Sequence, residues 1–142
     1  MANNHNIAKS RSREKYLGLD FGDKNIGLAL GVLGSMAVPY KILANISQEN
    51  TMLELEKIIK SEQIDGLVIG LPTSLSGQDN ERQSITNNFI KFCQKNISVP
   101  VYVVDESFTS QLYVKQGIKK DLDKYSAAAI LETFLTQNES KL

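Results

Sequence analysis

Between Tyr16 and Phe21 the chain alternates residue by residue, with Leu17, Leu19 and Phe21 on one face and Tyr16, Gly18 and Asp20 on the other. A period of two belongs to a strand that turns one face to a core. Gly22-Asp23-Lys24-Asn25 has the turn residues to reverse the chain into a second strand, Ile26 to Gly31, and Gly34-Ser35 can reverse it again into Met36 to Leu43. Pro39 brings no amide hydrogen to a ladder and so marks the third strand as an edge. The chain therefore begins its folded part with a three-stranded antiparallel meander that carries an aspartate, Asp20, inside its first strand.

Beyond the meander the period changes. After Ser47 or Asn50 as a cap, Met52, Leu55, Ile58 and Ile59 follow helical spacing, and Glu54 and Glu56 lie early, where the helix dipole favours negative charge. Leu67 to Ile69 and Val101 to Val104 are short continuous apolar runs, as in parallel strands buried on both faces. A second helix between them has the register Ile85, Phe89, Phe92 and Cys93, and the three segments form a βαβ unit. A last helix carries the full stripe Ala127, Ile130, Leu131, Phe134 and Leu135. The expected architecture is α/β: a five-stranded mixed sheet, three strands antiparallel and two parallel, with helices on both faces. That element order matches a ribonuclease H core.

With 142 residues, 42% of them hydrophobic and 23% charged, the chain is sized and composed for one globular domain, expected over residues 16–138. Residues 1–15 hold Lys9, Arg11, Arg13 and Lys15 but few large apolar groups, and are expected to form a flexible basic tail, with 139–142 as a short C-terminal one. The single cysteine, Cys93, excludes a disulfide framework and any CxxC metal knuckle. No apolar run reaches the ~18 residues of a membrane span, and the N-terminal residues lack a secretory apolar core, so the expected location is the cytoplasm. Sixteen basic and sixteen acidic residues cancel, which is unusual for a nucleic-acid binder unless acidic groups are concentrated in a site and basic ones around it.

Three carboxylates stand out by position. Asp is depleted in strands, so Asp20 serves there either as an acceptor for the Gly22 turn or as a metal ligand, with the bare neighbour Gly18 leaving space for a hydrated ion. Asp105 and Glu106 emerge at the carboxyl end of a parallel strand, where open α/β sheets place ligands. Adjacent residues of an extended chain point apart, which selects Glu106 for the site and leaves Asp105 a capping or loop role. Asp123 lies one helical turn before Ala127 and continues the apolar stripe toward the sheet, either as a helix cap or as a ligand. Oxygen ligands without a His or Cys cluster suit Mg²⁺ or Mn²⁺, and the reaction left to such a set is metal-assisted hydrolysis of a phosphodiester. Gly70 to Ser74, Gly77 and Arg82 form a loop that can meet phosphates, and Lys115, Lys119, Lys120 and Lys124 offer a basic rim near Asp123.

Taken together, YLGLDFGDKNIGLALG at 16–31, VIGLPTSLSG at 68–77, VDESFTS at 104–110 and DKYSAAAILETFL at 123–135 resemble the YqgF/RuvX family, over nearly all of the chain except the tail. The resemblance implies a ribonuclease-H-like fold and a nuclease that trims the 5′ end of precursor 16S ribosomal RNA in ribosome biogenesis. By analogy with RuvC it also implies, as an alternative, a Holliday-junction resolvase acting on branched DNA. The family's acidic positions fall on Asp20, Glu106 and Asp123, the expected catalytic and Mg²⁺ or Mn²⁺ ligands. Arg82, Lys119, Lys120 and Lys124 are the expected substrate-binding residues. Where many members have an arginine after the acidic pair, Ser107 stands here. The expected partner is nucleic acid, structured RNA ahead of branched DNA, and not a membrane, for a monomer or homodimer. A noncatalytic nucleic-acid-binding module is the alternative from another class, and retention of all three acidic positions argues against it. The actin and sugar-kinase type shares the Asp and glycine turn of the first strand, but this chain is too short for its two lobes. Asp20-Phe21-Gly22 also occurs in protein kinases, whose glycine-rich loop and catalytic-loop motifs have no counterpart here.

Overall fold

The computed structural model describes residues 13–72, 81–106 and 122–139, and of residues 122–124 the backbone only. Its five strands are β1 (Lys15–Phe21), β2 (Asn25–Val32), β3 (Val38–Ala44), β4 (Gly66–Leu71) and β5 (Val101–Asp105), and its three helices are α1 (Gln48–Ser61), α2 (Glu81–Asn96) and α3 (Leu122–Gln137). The strands form one sheet in the order β3-β2-β1-β4-β5. The pairs β1–β2 and β2–β3 are antiparallel, while β1–β4 and β4–β5 are parallel. The mixed five-stranded α/β sheet is thus the one that the alternating and continuous apolar runs imply.

Local chemistry explains the boundaries. The Ser47 side chain accepts a hydrogen bond from the Asn50 amide at 3.1 Å, so Ser47 is the cap of α1. Gly34 adopts φ 87°, a left-handed conformation that a side chain disfavours, and so permits the turn from β2 toward β3. Pro39 lies in β3, an edge of the sheet, beside an irregularity in the β2–β3 register between Leu28 and Ala29.

Alternation along the strands divides the core in two. Leu17, Leu19, Leu67 and Ile69 pack with Leu55, Ile58 and Ile59 of α1 and with Phe89, Ile90 and Cys93 of α2. Tyr16, Ala29, Val68 and Val104 pack on the other face with Ala127, Ile130, Leu131, Phe134 and Leu135, the whole stripe expected for α3. Helices therefore cover both faces, and Asp20 shares the α3 face by strand parity.

Three packing expectations change. The run Val101 to Val104 is not buried on both faces, because β5 is the second edge of the sheet and leaves Tyr102 and Val103 exposed. The buried stripe of α2 is Thr86, Phe89, Ile90 and Cys93, rotated from the expected register so that Ile85 is 41% exposed and Phe92 only partly covered. In α1, Thr51 is buried in place of Met52, and the third strand begins at Val38, with Met36 exposed before it.

Gly18 has a different task from the one expected of it. A Cβ there would lie 2.7 Å from the Leu131 Cβ and 2.9 Å from the Ala127 carbonyl oxygen, so the space belongs to α3 and not to an ion. Neither contact is the flexible end of a side chain. Gly18→Val is therefore expected to force α3 off β1 and to lower unfolding stability by ~2–3 kcal/mol, read from the midpoint of urea denaturation. A midpoint within error of the parent would show that the helix can shift without cost. Burial also pushes the Cys93 thiol up to about 12. A thiol reagent at pH 8 should leave it unmodified in the native protein and modify it fully in denaturant, because the thiolate is the nucleophile.

Candidate active site

β1, β4 and β5 all end at the same edge of the sheet, because the three are mutually parallel. Asp20 is the penultimate residue of β1 and pairs with Gly27 of β2. Glu106 follows β5 directly. Between these two strands, the last part of β4 offers Gly70, where a Cβ would meet Ile130 at 2.3 Å and the Glu106 Cγ at 3.6 Å. The glycine thus lets Glu106 lie across β4 toward Asp20 while Ile130 of α3 packs beneath.

Both carboxylates are buried, Asp20 at 7% exposure and Glu106 at 9%. Asp105, one residue earlier, is exposed. Strand parity has separated the two adjacent acids as expected, with the glutamate on the inner side. The two buried groups share a cation. Arg82, in the first turn of α2, places its Nη2 3.9 Å from Asp20 Oδ1 and 3.7 Å from Glu106 Oε1. Those distances exceed those of a bidentate guanidinium–carboxylate fork, and the arginine side chain is 59% exposed, so it is held loosely over the pair.

Of the other residues singled out from sequence, Asp123 and Lys124 belong to the first turn of α3, with side chains outside the described residues. Lys115, Lys119 and Lys120 lie outside them entirely, as do Thr73, Ser74 and Gly77 of the loop after β4. Ala127, one turn after Asp123, is fully buried and its carbonyl faces Gly18, two residues before Asp20 on the same strand face. Among the described residues, no group of three His, Cys, Asp or Glu side chains is placed to hold a metal ion. The buried pair, Asp20 and Glu106, is the acidic nucleus of the site.

A cavity adjoins the pair and was not foreseen from sequence. It measures about 460 Å³ and lies between the end of β1 with its turn and the first two turns of α2, lined by Phe21, Gly22, Asp23, Glu81, Arg82, Ile85 and Thr86. Arg82 borders both the cavity and the carboxylates. The signal that could have located it is Ile85, whose spacing fits a core stripe that Thr86 completes instead.

Comparison with known proteins gives this arrangement a lineage. A 133-residue stretch is 35% identical to a protein of Maridesulfovibrio salexigens named "Putative pre-16S rRNA nuclease", covering 87% of this chain and 98% of the relative. A protein of the same name from Anaplasma marginale is 34% identical over 131 residues, covering 85% of this chain and 83% of the relative. The fold is similar to that of Thermus thermophilus RuvC in complex with a Holliday-junction substrate, with a TM-score of 0.54 at 12% identity over 89% of this chain and 97% of that one. The family model described as "RuvX: Holliday junction resolvase" matches residues 14–137, the whole sheet and all three helices, and the chain belongs to the RuvX family.

Proposed function

We propose that the protein is a metal-dependent nuclease that hydrolyses phosphodiester bonds of structured RNA, processing the 5′ end of precursor 16S ribosomal RNA, with Asp20, Glu106 and Asp123 as its catalytic carboxylates. One observation carries the reading: two carboxylates, one within β1 and one directly after β5, are buried within reach of the same loosely held guanidinium, that of Arg82. Ionised carboxylates in such a place are costly unless a cation joins them. The donor set is oxygen only and acidic, which fits Mg²⁺ or Mn²⁺. The names of the relatives supply the RNA substrate.

Asp20 and Glu106 would hold the ion, and Asp123, from the helix that Gly18 seats against β1, would complete the set. When bound, such ions polarise the phosphate and supply hydroxide near neutral pH. The chain's own residues do the rest. Burial of the two carboxylates excludes water from their inner faces, and the rigid strand ends fix their spacing. Arg82 is placed to receive the phosphate that approaches the carboxylates, at the mouth of the site. Lys119, Lys120 and Lys124 would add basic contacts to the strand being cut. The product of in-line attack by water is a 5′-phosphate and a 3′-hydroxyl.

Branched DNA is the second reading, favoured by the description of the matched family as a resolvase. One assay separates the two. Asp20→Asn and the parent are incubated with precursor 16S rRNA and with a four-way DNA junction, each with Mg²⁺ and with EDTA. The parent is expected to cut the RNA only with Mg²⁺, and the variant to be slower by on the order of 10²-fold or more, the scale of removing one charged active-site group. Equal Mg²⁺-dependent cleavage by both proteins would exclude Asp20 from the chemistry, and cleavage of the junction alone would exchange the substrate.

Arg82 supplies an independent prediction. Its guanidinium competes with a metal ion for the same two carboxylates, so Arg82→Ala should bind Mn²⁺ more tightly by calorimetry in the absence of nucleic acid. The same variant should bind RNA more weakly, with the slope of log K against log salt reduced by about 1. An unchanged slope would remove Arg82 from the phosphate contacts.

A further inference from the structure

We infer that the cavity between β1 and α2 is a nucleobase subsite, which takes one unstacked base next to the phosphate held at Asp20 and Glu106; the inference rests on the nuclease reading of that neighbouring site. Size admits it, since about 460 Å³ lies within the ~300–1,000 Å³ of pockets that enclose small ligands. Its walls are of two kinds. Phe21, whose ring stacks on Phe89 at 4.2 Å between centroids, and Ile85 give apolar surfaces for the face of a base. Ile85 is 41% exposed on a helix whose Phe89 and Ile90 turn toward the core. A ligand with an apolar face would cover it.

The polar lining selects a base over a phosphate. Asp23 and Glu81 bring two carboxylates to the cavity, which repel an anion but accept hydrogen bonds from the amino groups of cytosine, adenine or guanine. Thr86 completes the lining. Arg82 stands at the boundary and would take the phosphate that joins this base to the reaction site. Proteins read RNA in this way at unpaired positions, with the base splayed out of its stack.

The test is abasic scanning of a single-stranded RNA that spans the cleavage site, with binding followed by fluorescence anisotropy in EDTA and cleavage followed separately in Mg²⁺. One abasic position adjoining the scissile phosphate should weaken binding about tenfold, in the range that stacking of one base provides, while the others stay within about twofold. Ile85→Ser should remove that positional difference. Asp23→Ala, which removes one of the two carboxylates, should lower the preference for amino-bearing bases at that position, with thermal melting to establish that both variants fold. A flat abasic scan beside intact Mg²⁺-dependent cleavage would overturn the subsite and leave the nuclease standing. A position-dependent scan that Ile85→Ser abolishes would support the subsite even if no cleavage occurred, in which case the nuclease reading alone would fall.

Discussion

With only hydrogen on Gly18, α3 rests the Ala127 carbonyl and the Leu131 Cβ against the backbone of β1, closer than any side chain at that position would allow. The same closeness recurs at Gly70, where Ile130 packs onto β4. These contacts fix the height and rotation of the helix over the sheet, and through them the place of its first turn relative to Asp20. Helix and strand cannot adjust independently, because both lie in a close-packed layer with Tyr16, Val68 and Phe134. The geometry of the carboxyl edge follows from this seat. Gly18 of β1 and Gly70 of β4 are therefore packing residues that also position the candidate site.

Asp20 and Glu106 are brought to that edge by covalent continuity with buried strands, so folding carries them there whether or not a cation is available. Their burial has an electrostatic cost, and Arg82 contributes a modest offset to it, since its guanidinium stands 3.7 and 3.9 Å away and its side chain is largely exposed. A tight bidentate pair would lower the energy of the free protein further, but would also hold the arginine in place against any incoming group. The looser arrangement keeps the site responsive. Stability given up at a site of this kind has to be supplied elsewhere, and here the two apolar layers on either face of the sheet supply it.

How much of this was legible from sequence depended on whether local pattern or tertiary neighbours decided the outcome. The meander was legible because alternation, turn residues and Pro39 act within a few residues of one another. The α3 stripe was legible because a full apolar face leaves one orientation available. The separation of Asp105 from Glu106 followed from strand parity alone. By contrast, Val101 to Val104 has the composition of a central strand, and only the sheet order makes it an edge. The rotation of α2 was hidden because Ile85 and Thr86 fit a stripe equally well by spacing, and the choice between them depends on the space left by neighbouring elements. Gly18 was read as room for an ion since a missing side chain shows that something comes close without saying what. The cavity was hidden behind that same choice at Ile85 and is bounded by two elements sixty residues apart, and the basic residues from 115 to 120 fall outside the described residues.

Charge placement bears on the order of events under the proposed reading. Asp20, Asp23, Glu81, Asp105 and Glu106 all lie at or near the carboxyl edge, in a chain whose acidic and basic residues are equal in number. Without a cation, that edge repels the phosphate it is proposed to cut, and Arg82 is drawn inward to the carboxylates and away from a substrate. A divalent ion held by Asp20 and Glu106 would weaken both effects, since it would offset part of the local negative charge and release the guanidinium to the phosphate. By thermodynamic reciprocity, whatever factor the ion adds to nucleic-acid affinity, the nucleic acid adds to the affinity for the ion. Metal and substrate would then assemble the site together, and a chain of zero net charge could engage a polyanion specifically without the uniformly basic surface that binds any of them.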